Sequence, residues 1–357
     1  MNIGIITQPL VSNYGGVLQN YALQKALIKI GHNPVTCDYI PVKSFFRVTL
    51  SLLLTLFLAC TKKKRKFSSC FPIKRDKFVE NFIKKYVNTT PPLSCYERNL
   101  IEDYQLRAFV VGSDQVWRPV YNDGVLLDNF LQFTNGYKLK RVAYSASFGV
   151  DKWEYSKKLT EQCALLAKNF DAISVREESA VALCAQYFNI TATKVLDPTL
   201  LLTEEDYNEI VQLPQNLPEK YLLSYILDKS IEKENFISSN IDKMGFNRVD
   251  IGISGKLQYS IEEWLGLFKA ADMVVTDSFH GTVFSIIFKK EFIVLPNNRR
   301  GLTRIVSLLD NIGLLDRLIT DFTNMPALYS QIDWSSVSSK LQKQAEKDLS
   351  FLENSLS

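Results

Sequence analysis

Short apolar runs, each followed by a few small or polar residues and then by a helical pattern, recur along this chain. "NIGIIT" leads through "QPLVSNYGG" into "VLQNYALQKALIKIG", "DAISV" through "REES" into "AVALCAQYF", and "MVVT" through "DSFHG" into "TVFSIIF". Runs of that length and composition suit strands buried on both faces. Their alternation with helices predicts an α/β architecture built on parallel, doubly wound sheets. Two further strands, in "AFVVGSDQVW" and "RVAYSASFG", end in loops of the same kind. In such sheets ligands collect beyond the carboxyl ends of the strands, so the polar residues of these loops are candidates as a set.

The chain has 357 residues, which suits two domains rather than one core. Near residue 210 the pattern changes to a polar stretch with two prolines, "VQLPQNLPEK", before a new strand, "YLLSYIL". The reading is a Rossmann-like domain over residues 1–210, a second over 211–335, and a polar helix over 336–357 that crosses back to the first. The second half is expected to place strands at 221–227, "NRVDIGI", 272–276 and "EFIVLP", with helices near 231–243 and at "SIEEWLGLFKAA". A net charge of +4 is too weak and dispersed to argue for nucleic acid. The six cysteines form no CxxC pair, the N-terminus reads as a strand rather than a signal peptide, and the expected compartment is a reducing cytoplasm. With only His32 and His280 available, no metal site is expected.

Residues 45–67, "FFRVTLSLLLTLFLACTKKKRKF", join 13 mostly apolar residues to five consecutive basic ones. The apolar part falls short of the about 20 residues that span a bilayer. It is either a hairpin or helix packed on the domain, or an interfacial segment that makes peripheral contact with the inner face of the cytoplasmic membrane. In the second case Lys62 to Lys66 would meet anionic headgroups or a lipid diphosphate.

His32, in "KIGHNP", reads as a solvated turn residue, whereas His280 sits between a strand and a helix in "VVTDSFHGTVFSIIF". A helix start offers free N–H groups to an anion, Gly281 would allow close approach to the backbone, and His280 could donate a proton to a substrate held there. The competing reading is a capping loop in which Asp277 or Ser278 satisfies the helix. Arg176, at a strand end in "SVREESA", suits a carboxylate or phosphate, or else pairs with Glu177 or Glu178. Arg304 starts an amphipathic helix after the basic loop holding Arg299 and Arg300, and it too could present a guanidinium to an anion. Asn13, Tyr14, Gly15 and Gly16 precede a helix without the GxGxxG spacing. Ser113, Asp114, Gln115 and Trp117 combine hydrogen-bonding groups with a flat face suited to a sugar. Ser145 and Ser147 lack a GxSxG context, which argues against a hydrolase triad.

In the order "NYGGVLQNYAL", "VGSDQVW", "YSASFG", "SVREESA", "VLDPTLLL", "DSFHGTVFSIIF" and a late "RI..LL...GL", these motifs resemble the polysaccharide pyruvyl transferase family over residues 1 to about 315. The resemblance implies two Rossmann-like domains facing a cleft, as in GT-B glycosyltransferases, and bacterial capsule or surface-polysaccharide synthesis. The implied reaction moves the carboxyethylidene unit of phosphoenolpyruvate onto two hydroxyls of a sugar as a cyclic ketal and releases phosphate, with no cofactor beyond that donor. It also implies a galactose-like acceptor on a lipid carrier such as undecaprenyl diphosphate.

On this reading His280 is the general acid, and Arg176, Ser278, Phe279, Gly281 and Arg304 hold the donor. Asn13, Tyr14, Gly15, Gly16, Ser113, Asp114, Gln115, Trp117, Ser145 and Ser147 line the cleft or meet the acceptor. Arg176 and His280 come from different domains, so the cleft is expected to close on the substrate. Some relatives carry arginine two positions before the histidine, where this chain has Ser278; Arg304 is the expected substitute. Two rival readings stay open: a glycosyltransferase of the same shape using a sugar nucleotide, and a non-catalytic carbohydrate-binding subunit.

Overall fold

The computed structural model describes residues 1–41, 74–252, 258–297, 299–319, 322 and 331–357. The segment 45–67, read above as packed or membrane-contacting, lies outside the described residues. Among those described, no helix is long and apolar enough to cross a membrane.

Among the described residues ten strands form two sheets, and every pairing within them is parallel. The first sheet contains β1 (Asn2–Ile6), β2 (Asn33–Thr36), β3 (Ala108–Val111), β4 (Lys140–Ala146), β5 (Ala172–Val175) and β6 (Thr193–Lys194), in the order β2-β1-β3-β4-β5-β6. The second contains β7 (Tyr221–Tyr225), β8 (Asn247–Ile251), β9 (Met273–Thr276) and β10 (Glu291–Val294), in the order β10-β9-β7-β8. The central strands are largely apolar because helices cover both faces; β3 and β9 are buried at every position.

Each sheet has one place where the chain leaves a strand in one direction and later returns on its other side. These switch points lie between β1 and β3 in the first sheet and between β7 and β9 in the second. At such a point the loops beyond the strand ends diverge and leave a crevice.

The halves are joined by more than a linker. The helix Tyr14–Lys29, which follows β1, contributes Tyr14, Val17, Leu18 and Tyr21 to the apolar core that also holds Trp264, Phe268 and Phe284 from the second half. The helix Trp334–Leu356 returns to the first sheet, where Leu352 and Leu356 pack with Ile3, Ile5 and Tyr144. Its buried Asp348 accepts a 2.7 Å hydrogen bond from the Leu196 N–H, so the C-terminal helix grips the strand-end loop that carries Asp197.

Candidate active site

A cleft of about 770 Å³ opens between the sheets. Its walls are the loops after β1, β3, β7, β8, β9 and β10, so the two switch-point crevices face each other across it. The volume is within the range of about 300–1,000 Å³ usual for small-molecule sites.

His280 stands in the first turn of the helix Phe279–Ile287, which starts where β9 ends. Ser278 caps that helix, its Oγ accepting from the Gly281 N–H at 3.3 Å. Asp277 does not cap. Its carboxylate accepts from the N–H groups of Leu227 and Asp228, from Lys233 and from Asn297, at 2.6–3.1 Å, and so ties the β7 and β9 loops together. Gly281 also differs from expectation. A Cβ there would lie 2.3 Å from Thr276 Oγ1, so the missing side chain admits the adjoining strand rather than a ligand.

Gly15 is the other close approach. A Cβ on it would lie 2.0 Å from His280 Nδ1, so the start of the Tyr14–Lys29 helix is a flat wall against the imidazole. Gly15→Ala is therefore expected to leave the helix intact, since alanine is the better helix former, and to move the imidazole. Melting temperature should hold while turnover falls by about 10²-fold, the effect of misplacing a reacting group by an ångström. Unchanged turnover would mean the imidazole position is not critical.

Arg176, at the end of β5, lies buried behind the cleft wall and does not line the cleft itself. Its Nη1 donates to Asp197 Oδ2 at 2.7 Å and its Nη2 to Asp114 Oδ1 at 3.3 Å. Its partners are therefore these aspartates and not the neighbouring Glu177 or Glu178. Glu177 is itself buried, and its Oε1 accepts from the Ser147 hydroxyl and from the N–H groups of Phe148 and Gly149.

Arg304, in the first turn of the helix Thr303–Ile312, places Nη1 at 3.5 Å from Asp114 Oδ1 and donates from Nη2 to the Arg300 carbonyl at 2.7 Å. Both guanidiniums lie over the Phe279 ring, at 4.6 Å for Arg176 and 5.6 Å for Arg304. The aromatic face offsets part of the cost of placing two cations close together out of water.

Asp197, just before the short 3₁₀ turn Pro198–Leu201, joins the cluster at its base. Oδ1 accepts from the Thr199 N–H and hydroxyl, and Oδ2 from Arg176 and the Ser113 hydroxyl, while His280 Nε2 stands 3.8 Å from Oδ2. Burial works to raise its carboxyl, but His280, Arg176 and the Thr199 hydroxyl outweigh burial and bring it down to about 2. For Asp114, too, burial is outweighed by Arg176, Arg304 and His280, and the carboxyl stays ionised below the ordinary range. Burial pushes His280 below its usual value; Asp197 and Asp114 restore part of that loss, and Arg176 and Arg304 act against them to a smaller extent. Burial beside Arg176 lowers Arg304 to about 10.

Three buried nitrogens, Arg176 Nε, Arg304 Nε and His280 Nε2, have no hydrogen-bond partner among the described residues. An unpaired buried donor costs about 1–3 kcal/mol, and Arg304 and His280 carry theirs in the cleft wall, which suits an anionic group there.

Of the other sequence candidates, Asn13, Tyr14, Gly15, Asp114 and Gln115 line the cleft, whereas Gly16, Ser113, Trp117, Ser145 and Ser147 do not. Trp117 is in the core, stacked on Phe130 at 4.7 Å with its indole N–H donating to the Asn129 carbonyl, and it offers no face to a sugar. Ser113 and Ser147 support Asp197 and Glu177 from behind, and Ser145 stands 3.3 Å from Ser113. The structure adds an aromatic wall from the second half, formed by Tyr225, Tyr259 and Trp264, with the Tyr14 hydroxyl donating to the Tyr259 carbonyl at 2.5 Å. Arg176 and His280, from the two halves of the chain, both approach Asp197 in this structure.

Two parallel, doubly wound sheets with a cleft between their switch points define a GT-B-like protein. Among solved structures, Arabidopsis thaliana UGT89C1 complexed with UDP-L-rhamnose superposes with a TM-score of 0.53 at 8% identity, covering 99% of this chain and 98% of that one. UDP-GlcNAc 2-epimerase from Methanocaldococcus jannaschii gives 0.51 at 12% identity, covering 99% of both chains. Comparison with curated protein sequences gives no match. The sequence profile of the polysaccharide pyruvyl transferase family matches residues 13–299, and the chain belongs to that family.

Proposed function

We propose that the protein transfers the carboxyethylidene group of phosphoenolpyruvate to two hydroxyls of a sugar, forming a cyclic ketal and releasing phosphate. The observation that carries this reading is the meeting of Arg304 and His280, each with an unpaired buried nitrogen, in the wall of a cleft too large for the donor alone, with Arg176 close behind them over the same Phe279 ring. The guanidiniums suit the donor's carboxylate and phosphate, and His280 is placed to deliver a proton to the methylene carbon. Proton delivery makes C2 electrophilic, the first hydroxyl adds, phosphate departs, and the second hydroxyl closes the ring. The guanidiniums neutralise the departing phosphate without a cofactor. The wider end of the cleft, with Asn13, Gln115 and the aromatic wall, takes the acceptor, for which a galactose-like unit on a lipid diphosphate is the proposed form.

Binding isotherms test the donor assignment. Phosphoenolpyruvate should bind with proton uptake, because an anion beside His280 raises a pKa that burial has pushed below its usual value. Between the free and the raised value the complex holds more protons, so affinity should strengthen as pH falls through that window. Calorimetry in buffers of different ionisation enthalpy measures the uptake directly. Binding of UDP-sugars without phosphoenolpyruvate would instead favour a glycosyltransferase.

A further inference from the structure

Each acceptor hydroxyl must lose a proton, and His280 accounts only for the proton that reaches carbon. Four carboxylates surround the donor end. Asp197 and Glu177 are buried behind it and do not line the cleft. Asp277 lines the cleft, but both its oxygens are taken by four short hydrogen bonds. Asp114 differs from all three.

Asp114 follows β3 directly, at the switch point of the first sheet, and lines the cleft. Its backbone is in the left-handed region, at φ +72°, an uncommon conformation for aspartate that holds the carboxylate in the cleft wall. Its contacts are all long: Arg176 at 3.3 Å and Arg304 at 3.5 Å on Oδ1, and the Asn13 amide at 3.3 Å on Oδ2. By contrast Asp197 holds the same Arg176 at 2.7 Å. Asp114 is thus the loosely held anion between the guanidiniums assigned to the donor.

Resting on the ketal-transfer reading, we propose that Asp114 is the base for the attacking hydroxyl, and that the donor frees it by taking over Arg304. The donor's anionic groups replace the Asp114 carboxylate as partner of that cation. The charged groups facing Asp114 are then Arg304, now engaged, Arg176, still held by Asp197, His280, Asp197 and the donor itself. The change disfavours the ionised form and makes Asp114 a stronger base.

The step balances. Protonated His280 gives its proton to the methylene carbon as the first hydroxyl oxygen bonds to C2, and that hydroxyl's proton passes to Asp114. The bond from C2 to the phosphate oxygen then breaks with its electron pair on phosphate. The second hydroxyl oxygen bonds to C2, and its proton leaves on the phosphate. Transfer of the Asp114 proton back to His280 restores both groups. Donor must therefore bind before acceptor.

The test is Asp114→Asn in the full chain; asparagine tolerates positive φ, so the fold is expected to hold. Phosphoenolpyruvate should bind as tightly as to wild type or more tightly, because a competing internal anion is gone. Acceptor-dependent phosphate release should fall by about 10²–10⁴-fold, the usual contribution of a positioned acid or base. In Asp114→Gly, added formate should restore part of the rate, which a merely structural role would not produce. Turnover within a few-fold of wild type, or parallel loss of donor binding and turnover without formate rescue, overturns the proposal. Wild-type protein that binds no phosphoenolpyruvate overturns the ketal-transfer reading and the base with it; an active wild type with an unimpaired Asp114→Asn overturns the base alone.

Discussion

His280→Gln is expected to lower acceptor-dependent phosphate release by about 10²–10⁴-fold and to abolish proton uptake on donor binding, with donor affinity changed little at a pH where the imidazole is neutral with or without donor. Glutamine keeps a polar side chain in the space against Gly15 but has no group that titrates near neutrality. Arg176 and Arg304 are untouched, so the anionic part of the donor still finds its partners. Binding isotherms and single-turnover rates measured together separate the two effects. A variant that turned over at the wild-type rate would remove His280 from the chemistry. One that failed to bind the donor would make it a binding residue instead.

Asp197→Ala is expected to have the other large effect, this time on both stability and activity. It removes the closest partner of the buried Arg176 and leaves that guanidinium with only the longer Asp114 and Ser113 contacts. Breaking one side of a buried ion pair costs about 3–5 kcal/mol. The loss also strands the Thr199 N–H and hydroxyl and takes the shortest partner from the Ser113 hydroxyl. Asp197 is depressed to about 2 in the folded protein, so its contribution is present above the ordinary carboxylate range and is lost as pH falls through the folded value. Wild-type stability should therefore drop in strong acid by an amount the alanine variant no longer shows. Denaturant midpoints across pH check this, and equal midpoints for the two proteins at neutrality would contradict the role given to Asp197.

Much of this site was legible because its loops follow strands that announce themselves. β9 and its helix are continuous apolar runs interrupted only by "DSFHG", so His280 stood out as a polar residue at a buried strand end. Arg176 and Arg304 were visible for the same reason, as cations at helix starts where the local dipole offers them nothing. Asp197 was not identified by its chemistry. Locally it is an aspartate before a proline, and one oxygen does cap the following turn, while the other reaches Arg176, 21 positions earlier, and Ser113, 84 positions earlier. No pattern at helical or strand spacing carries that information.

Trp117 shows the opposite failure, since an aromatic next to polar loop residues reads as a sugar platform until Asn129 is seen to satisfy its N–H inside the core. β2 and β6 escaped because four and two residues are too few to show a pattern, and Pro34 reads against a strand unless β2 is known to be an edge. In the aromatic wall, Trp264 was hidden in an amphipathic helix, where at helical spacing it reads simply as core.

The central claim is best tested by incubating the protein with phosphoenolpyruvate and a panel of galactoside acceptors, following phosphate release and, in the same samples, the acceptor's mass and new methyl resonance. Phosphate released in equal amount to a ketal-modified acceptor, and only when both substrates are present, is the expected result. A folded protein that leaves phosphoenolpyruvate intact across the panel, yet consumes a sugar nucleotide with the same acceptors, would contradict it.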